Sequence, residues 1–322
     1  NEASNVIEAF YVFETDIAWG RGYLRLKQTN DDTWKAWTLL TTMDALKGHE
    51  EKRGFKRPKG IDGVAKQNRK NWLEHRQETL SFKGRDPQVL VIGAGQAGLA
   101  IAARLGHLGV DTLVVEQNAR VGDNWRKRYH SLILHDPIWF DHLPYMPFPD
   151  NFPVFIPKDK LAEWFEHYAS AMDLNTWTST SFLGADFDDG RKAWTARLRR
   201  ADGREQTLKP NHLILATGMA GLPYIPEFEG VNDFEGVLLH SSAYKGAAAW
   251  QGKKAVVVGA GTSGHDIALA FYEHGTDVTM VQRSSTYVLN SDTFTKTLFA
   301  GSYEEGGPPT ADADLRGAST PT

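Results

Sequence analysis

The chain has 322 residues, of which 41% are hydrophobic, and it carries a formal net charge of -4. This length supports a large core and two or three domains, and the charge lacks the basic excess that a nucleic-acid-binding protein needs. No apolar run reaches the roughly 18 residues of a membrane span. The sequence contains no cysteine, which excludes disulfides, thiolate metal sites and a redox-active cysteine pair within it, and favours a cytoplasmic location.

The first block combines a predicted sheet with a charged connector. Aromatic and β-branched residues alternate with polar ones over residues 6–45, a pattern typical of a small antiparallel meander. Residues 47–70 are charged and dotted with glycine. They predict a solvated connector rather than an anion-binding patch, because Glu50 and Glu51 lie among the cations. A short helix over about 66–80 then leads into the next block.

From Pro87 onward, buried strands alternate with helical segments, which predicts an α/β fold with a parallel sheet. The run QVLVIGAG predicts a strand that is covered on both faces and ends at a glycine turn. A helix over 97–108 and a strand DTLVVE follow, then a helix with an apolar stripe over 161–172 and a β-meander over 175–215. Residues 254–283 repeat the order of strand, glycine turn, helix and strand.

Both glycine turns have the G-x-G-x-x-G spacing of a dinucleotide-binding loop. In the first, Gly93 permits a tight turn, Gly95 lets a pyrophosphate approach the backbone, and Gly98 lets the helix pack closely on the strand. The amino terminus of the helix offers free N–H groups to the phosphates. The second turn repeats this spacing at Gly259, Gly261 and Gly264. The sequence therefore predicts two Rossmann-like dinucleotide-binding domains, preceded by a small α+β segment.

The two repeats differ where the following strand ends. The first ends at Glu116, whose carboxylate can accept the ribose hydroxyls of an unphosphorylated adenosine. The second ends at Gln282, followed by Arg283 and Ser284, which suit a 2′-phosphate that a carboxylate would repel. Two dinucleotides in one chain imply electron transfer between them, and FAD with NADPH is the ordinary pair. The alternative, that Arg283 is only a surface cation, stays open.

Further motifs carry a resemblance to a known family. They are GDNWRKRY at 122–129, LATG at 215–218, and FEGVLLHSSAY at 234–244, directly before the second glycine turn. With the two turns, they make residues 86–300 resemble the flavin-containing monooxygenases, a class that includes the Baeyer–Villiger and YUCCA-type enzymes. LILHDP at 132–137 is similar to the YUCCA-like form L-x-L-H-x-P. Residues 1–80 resemble, faintly, the closing strands of a SnoaL-like (NTF2-like) domain.

The resemblance implies an NADPH- and FAD-dependent monooxygenase. Such an enzyme forms a flavin C4a-(hydro)peroxide and passes one oxygen atom of O₂ to a small organic substrate. N-oxidation, S-oxidation or YUCCA-like oxidative decarboxylation is favoured over Baeyer–Villiger chemistry by Tyr244-Lys245, where Baeyer–Villiger enzymes have Trp followed by Pro or Asp. A Baeyer–Villiger enzyme and a non-catalytic dinucleotide-binding scaffold remain alternatives, whereas the absence of cysteine argues against a disulfide reductase.

The resemblance also implies site residues. His135 and Asp136 are expected to face the flavin as catalytic residues, although a purely structural His135 stays open. No metal site is expected. The residues expected to contact FAD or NADPH are Gly93, Gly95, Gln96, Gly98, Glu116, Gln117, Gly122, Trp125, Arg126, Thr217, Gly218, His240, Ser241, Gly259, Gly261, Thr262, Ser263, Gly264, Gln282, Arg283 and Ser284.

Four segments are expected along the chain. Residues 1–80 form the SnoaL-like segment and linker, 81–220 the FAD-binding domain, and 221–300 the NADP-binding domain. Residues 301–322 form a tail or begin a return to the FAD domain. Members of the family complete the FAD domain with such a return, so we expect either that this chain is incomplete or that part of the flavin site comes from elsewhere.

Overall fold

A computed structural model describes residues 5–60, 67–219 and 221–320 of the chain. It begins with an antiparallel sheet of strands β1 (Val6–Glu14), β2 (Ala18–Gln28) and β3 (Trp34–Leu46), in that spatial order. This confirms the predicted meander. The connector holds one 3₁₀ turn, at Gly54–Lys56, and two further turns of this type lie at Val231–Asp233 and Ala248–Trp250.

The first helix, α1 (Trp72–Ser81), begins later than the predicted residue 66, which lies outside the described residues. Asn71 sets this start, because its side chain accepts from the backbone of Glu74 while the Glu74 carboxylate accepts from the backbone of Asn71. Such a capping box satisfies backbone N–H groups that a helix start leaves without partners.

A four-stranded parallel sheet forms the centre of the first glycine module. Its spatial order is β10 (His212–Leu215), β4 (Val89–Ile92), β5 (Thr112–Val115) and β6 (Thr176–Trp177). Helix α2 (Gln96–Leu108) connects β4 to β5, while α3 (Asp123–Arg126) and α4 (Lys158–Ala171) lie between β5 and β6. Every residue of β4 and β5 is buried, as their uninterrupted apolar sequence predicts.

The two faces of this sheet have different covers. On one face, Val89, Val91 and Val114 pack against apolar side chains of α2 and α4. On the other, Leu90 and Leu113 pack against an antiparallel sheet of β7 (Ser181–Asp188), β8 (Ala193–Arg199) and β9 (Glu205–Leu208). The predicted meander over 175–215 is therefore wrong at its ends, because β6 and β10 pair with the parallel strands β5 and β4.

The second glycine module is smaller. Strands β11 (Lys254–Val258) and β12 (Asp277–Val281) are parallel, with α5 (Thr262–Glu273) between them in sequence. Val257 of β11 packs against Ile267 and Phe271 of α5, and Tyr129 from the first module joins the same cluster. Val256 and Val258 point to the other face of this sheet and are exposed.

The last described residues return to the N-terminal sheet. Helix α6 (Ser291–Leu298) is followed by α7 (Thr310–Ala318), which packs against β2. The buried Arg25 of β2 donates to the Ser319 carbonyl (2.8 Å) and to the Ser319 hydroxyl (2.7 Å), and pairs with Glu8 (2.9 Å). The tail predicted at 301–322 thus contains a helix held by the N-terminal sheet, while the predicted domain boundaries stay predictions.

We expect Gly98→Ala and Gly106→Ala to change stability in opposite directions, although both glycines lie in α2. A Cβ at Gly98 would lie 1.9 Å from the Gly93 carbonyl oxygen, whereas one at Gly106 meets nothing within 4 Å. Gly98→Ala should lower the free energy of unfolding by about 1–3 kcal/mol through overpacking. Gly106→Ala should raise it by about 0.4–1 kcal/mol, because alanine loses less backbone entropy. Urea denaturation measures both, and equal effects would contradict the close packing at Gly98.

Candidate cofactor-binding sites

The three glycines of the first loop have separate structural roles. Gly93 has a φ of +106°, and a Cβ there would lie 2.4 Å from the Ala216 carbonyl oxygen. Gly98 packs against the Gly93 carbonyl, as described above. Around Gly95 the space is open, since the nearest atom to a Cβ would be the Asn124 amide nitrogen at 3.7 Å. Gly93 and Gly98 thus shape the turn as predicted, and Gly95 leaves room for a ligand.

The amino terminus of α2 points into this open space. Gly95 is its N-cap residue, and no side chain of the described residues caps the helix. The first N–H groups of a helix have no partner within it and carry a partial positive charge. Gln96, the first helical residue, is exposed. The loop can therefore receive an anionic group such as a pyrophosphate.

Glu116 lies against the same loop. The residue is only 8% exposed, and its Oε2 accepts from the Ala94 backbone N–H (3.0 Å). Its Oε1 accepts from the backbone (2.8 Å) and the side chain (2.7 Å) of Asn118. A carboxylate has about four acceptor positions, and three are used, so Glu116 links the two turns and keeps limited capacity for a ribose hydroxyl. Its contact with a cofactor stays a prediction.

Two predicted contact residues of the next segment have structural partners of their own. A Cβ at Gly122, where φ is +87°, would lie 2.3 Å from the Ala162 carbonyl oxygen of α4. Arg126 pairs with Asp123 (3.0 Å) and Glu166 (2.7 Å). The packing of α3 on α4 therefore accounts for a glycine at position 122 and an arginine at position 126, whether or not either residue also touches a cofactor.

Trp125 and Gln117 keep free polar groups. Trp125 packs partly against the core, and its buried indole nitrogen has no hydrogen-bond partner in the described parts of the chain. Such an unsatisfied buried donor is rare in folded proteins and favours a missing acceptor. Gln117 is exposed beside Glu116.

Thr217 and Gly218 lie at the same edge of the sheet as the first loop. They follow β10, which pairs in parallel with β4, so both strands end beside each other. The close approach of Ala216 to Gly93 joins the two ends directly. Both residues are exposed, which leaves them accessible to a ligand at this edge.

The second loop repeats the geometry of the first. Gly259 has a φ of +117°, and a Cβ at Gly264 would lie 2.5 Å from the Gly259 carbonyl oxygen. A Cβ at Gly261 would meet nothing within 4 Å. Thr262 and Ser263 form the first turn of α5, whose N-cap residue Gly261 provides no side chain. The amino terminus of α5 can therefore accept an anionic group, as the amino terminus of α2 can.

The residues that follow β12 differ from Glu116, which follows β5, in their exposure and in their hydrogen-bond partners. Gln282, Arg283 and Ser284 are all exposed, and the Gln282 amide makes only a 3.9 Å contact with the Met280 sulfur. Arg283 has no hydrogen bond or ion pair within residues 5–60, 67–219 and 221–320. Its guanidinium is free to bind a phosphate.

The segment with His240 and Ser241 connects the modules. The His240 Nδ1 lies 2.8 Å from the Ser242 hydroxyl and accepts from the Ser242 backbone (3.2 Å). Ser241 accepts from the backbone of Tyr244, whose buried ring lies 6.2 Å from the ring of Tyr129. Tyr244 thereby anchors this segment in the core of the second module, beside Tyr129 of the first module.

His135 contacts the second module through a residue that the sequence analysis missed. The His135 Nε2 lies 3.4 Å from Oδ2 of Asp266 in α5, and the Tyr129 hydroxyl donates to the same oxygen (2.6 Å). Burial, with the hydrogen bond to Asp266, raises the pKa of Tyr129 well above its usual value, so the hydroxyl stays a donor. The only sequence signal that could have singled out Asp266 is its position two residues after Gly264, the last glycine of the second loop.

Asp136 affects a second carboxyl group that the sequence analysis also missed. Burial, with the nearby charge of Asp136, raises the pKa of Asp141 to about 7. One carboxyl oxygen of Asp141 is buried without a hydrogen-bond partner among the described residues.

Comparison with known proteins identifies the family. The model of the pyridine nucleotide-disulphide oxidoreductases matches residues 87–300, which include both glycine loops and the segment between them. The chain belongs to this family. Because the sequence has no cysteine, it lacks the cysteine pair that the disulfide chemistry in the family name requires.

Curated relatives of the chain are named indole-3-pyruvate monooxygenases. The chain is 37% identical over 209 residues to indole-3-pyruvate monooxygenase YUCCA1 of Oryza sativa subsp. japonica, covering 65% of this chain and 50% of that protein. It is 35% identical over 215 residues to the probable indole-3-pyruvate monooxygenase YUCCA3 of Arabidopsis thaliana, covering 65% and 49%. The chain thus spans about half the length of these curated relatives.

A solved structure supports the same assignment. A mutant flavin monooxygenase from Stenotrophomonas maltophilia superposes with a TM-score of 0.59 at 26% identity, covering 73% of this chain and 69% of that one. The resemblance to flavin-containing monooxygenases and the α/β dinucleotide-binding fold are confirmed. The SnoaL-like resemblance of residues 1–80 and the cofactor contacts of individual residues stay predictions. No helix in the described residues is both long and apolar enough to span a membrane.

We expect Asp141→Asn to remove a pH dependence of stability. The folded-state pKa of about 7 exceeds the ordinary aspartate value, so the folded protein holds a proton that the unfolded chain releases. The free energy of unfolding should therefore fall as pH rises from about 4 to about 7. Partial exposure screens the effect, which leaves about 1–2 kcal/mol. Urea denaturation at pH 5 and pH 8 measures it, with the exposed Asp189→Asn as control. An equal pH dependence in the wild type and Asp141→Asn would contradict this reading.

Proposed function

We propose that the protein is an NADPH- and FAD-dependent monooxygenase that transfers one oxygen atom of O₂ to a small organic substrate. One observation carries the proposal: two glycine loops of the same backbone geometry are followed by a buried, anchored Glu116 in one case and by the free, exposed Arg283 in the other. The names of the YUCCA relatives support it.

The first loop fits FAD. Gly95 leaves open space in front of an uncapped helix terminus, where the pyrophosphate would lie. Glu116 retains acceptor capacity for the ribose, and the unpaired indole N–H of Trp125 can donate to a bound cofactor. Thr217 and Gly218 would contact the cofactor from β10.

The second loop fits NADPH. Gly261 leaves the same open space before α5. Arg283 and Ser284 would hold the 2′-phosphate, since a guanidinium can donate two parallel hydrogen bonds to phosphate oxygens. Gln282 carries no charge that would repel it.

A bound flavin would supply the capacity to accept hydride from NADPH and to activate O₂. The chain has to place both nucleotides so that their reactive rings meet. Two contacts fix one module against the other. The rings of Tyr129 and Tyr244 pack together, and the His130 backbone N–H donates a hydrogen bond to the Lys245 carbonyl (2.8 Å). His135 supplies an ionisable group at this junction.

The proposed substrate class is a 2-oxo acid, which would undergo oxidative decarboxylation, because the relatives are named indole-3-pyruvate monooxygenases. The test is NADPH consumption minus H₂O₂ release, with indole-3-pyruvate compared with amine and thioether substrates. A colourless protein that NADPH does not reduce would favour the non-catalytic scaffold instead. A cytoplasmic location, expected from the composition, stays a proposal.

We expect Gly95→Val and Gly261→Val to remove different cofactors. The Cβ positions at both glycines are free of clashes in the protein itself, so each added side chain should obstruct only the pyrophosphate. Gly95→Val should purify without FAD, while Gly261→Val should keep FAD and bind NADPH at least about tenfold more weakly. Flavin absorbance and anaerobic flavin reduction measure these effects, and circular dichroism checks folding. Stoichiometric FAD in folded Gly95→Val would place FAD elsewhere.

We expect Arg283→Ala to abolish the preference for NADPH. A hydrogen bond to a charged group contributes about 1.5–3 kcal/mol, so NADPH binding should weaken about 10- to 150-fold, while NADH, which lacks the phosphate, should be nearly unaffected. The double variant Gln282→Glu/Arg283→Ala should shift the preference towards NADH. The measurement is the ratio of second-order rate constants for anaerobic flavin reduction, with the exposed Arg191→Ala as control. An unchanged ratio in Arg283→Ala would place the phosphate elsewhere.

A further inference from the structure

One carboxylate oxygen connects the two glycine modules. Oδ2 of Asp266 accepts from the Tyr129 hydroxyl at 2.6 Å and lies 3.4 Å from the His135 Nε2. Asp266 is in the second turn of α5, directly after the second glycine loop. Tyr129 and His135 belong to the segment between α3 and α4 of the first module. Asp266 therefore joins the helix of the second glycine loop to Tyr129 and to His135, which the family resemblance implies faces the flavin.

The junction around this trio is well fixed. The His130 backbone donates to the Lys245 carbonyl (2.8 Å), and the Lys245 ammonium donates to the Lys127 carbonyl (3.0 Å). Tyr129 is buried, while the side chain of Asp266 is 25% exposed and that of His135 is 52% exposed. Tyr129 is thus held in the core, and His135 stands at the rim with one ring edge turned to Asp266.

The pairing selects one form of the imidazole. A neutral histidine carries its proton on one nitrogen only, and an acceptor beside Nε2 stabilises the tautomer with the proton there. The Nδ1 atom of His135 has no hydrogen-bond partner among the described residues. It is therefore the nitrogen available to a ligand at the junction, as an acceptor when neutral and a donor when protonated.

We propose that Asp266 is a positioning residue that holds His135 as its Nε2–H tautomer and presents Nδ1 to the flavin side of the junction. The role of Nδ1 rests on the proposed monooxygenase function. The selection of the tautomer does not, because it depends only on residues of this chain. Since Asp266 follows the NADPH loop on the same helix, the position of that helix sets the orientation of His135.

Tyr129 provides the internal control. If Asp266 were only the acceptor for the buried tyrosine, removing the Tyr129 hydroxyl would disturb His135 as much as removing the carboxylate. If Asp266 acts on His135 directly, Tyr129→Phe leaves the carboxylate free to accept from Nε2. Asp266→Asn removes the negative charge beside Nε2, while its amide oxygen can still accept from the Tyr129 hydroxyl.

The experiment is ¹⁵N NMR of protein labelled at histidine, at alkaline pH where imidazole is neutral, with His135→Gln identifying the resonances. In the wild type and Tyr129→Phe, the Nε2–H tautomer should be enriched beyond its share in free histidine, where it already predominates, because the Asp266 carboxylate lies 3.4 Å from Nε2. Asp266→Asn should reduce this enrichment. An unchanged tautomer ratio in Asp266→Asn, or an equal loss in Tyr129→Phe, would overturn the proposal.

A second measurement links the tautomer to the reaction. In flavin-loaded protein, Asp266→Asn should lower the product formed per NADPH consumed while NADPH still reduces the flavin, and the exposed Asp189→Asn should leave this coupling near the wild-type value. Unchanged coupling in Asp266→Asn would overturn the role of Nδ1. Failure of the wild type to bind flavin would overturn the proposed function and leave the tautomer result standing.

Discussion

The contact between the third glycine of each loop and the first supports the rest of the structure. At Gly98 the helix lies so close to the strand that a single methyl group would overlap the Gly93 carbonyl, and Gly264 repeats this against Gly259. The approach brings the amino terminus of each helix to the carboxyl end of its strand. In the first module, Glu116 and Ala216 meet the same turn, so the shape of the site depends on backbone packing before any ligand binds.

The two modules support their loops to different degrees. The central strands β4 and β5 of the first are buried on both faces, between helices and a second sheet. The second module has two strands with α5 on one side and Val256 and Val258 exposed on the other. Its position relative to the first module depends on the cluster around Tyr129 and Tyr244. The first loop is therefore supported by packing on both faces of its sheet, whereas the second depends on packing on one face.

Local patterns predicted most elements, because strands and helices follow from the spacing of apolar residues. The meander over 175–215 failed at its ends, since the apolar run HLIL does not reveal that β10 pairs with β4 across more than a hundred residues. The glycine spacing predicted both loops and also separated Gly98, which packs against the strand, from Gly95, which leaves room for a ligand. The contact from His135 to Asp266 also escaped prediction, because it joins two modules.

The contact between Arg25 and Ser319 brings the beginning and the end of the described chain together. Arg316 of α7 also lies 3.5 Å from Glu8 of β1, so the first strand and the last helix share a small polar junction. Loss of the last turn of α7 would remove the Ser319 acceptors of a buried cation and leave Arg25 paired with Glu8. Fraying of this helix end is therefore coupled to the packing of the first sheet.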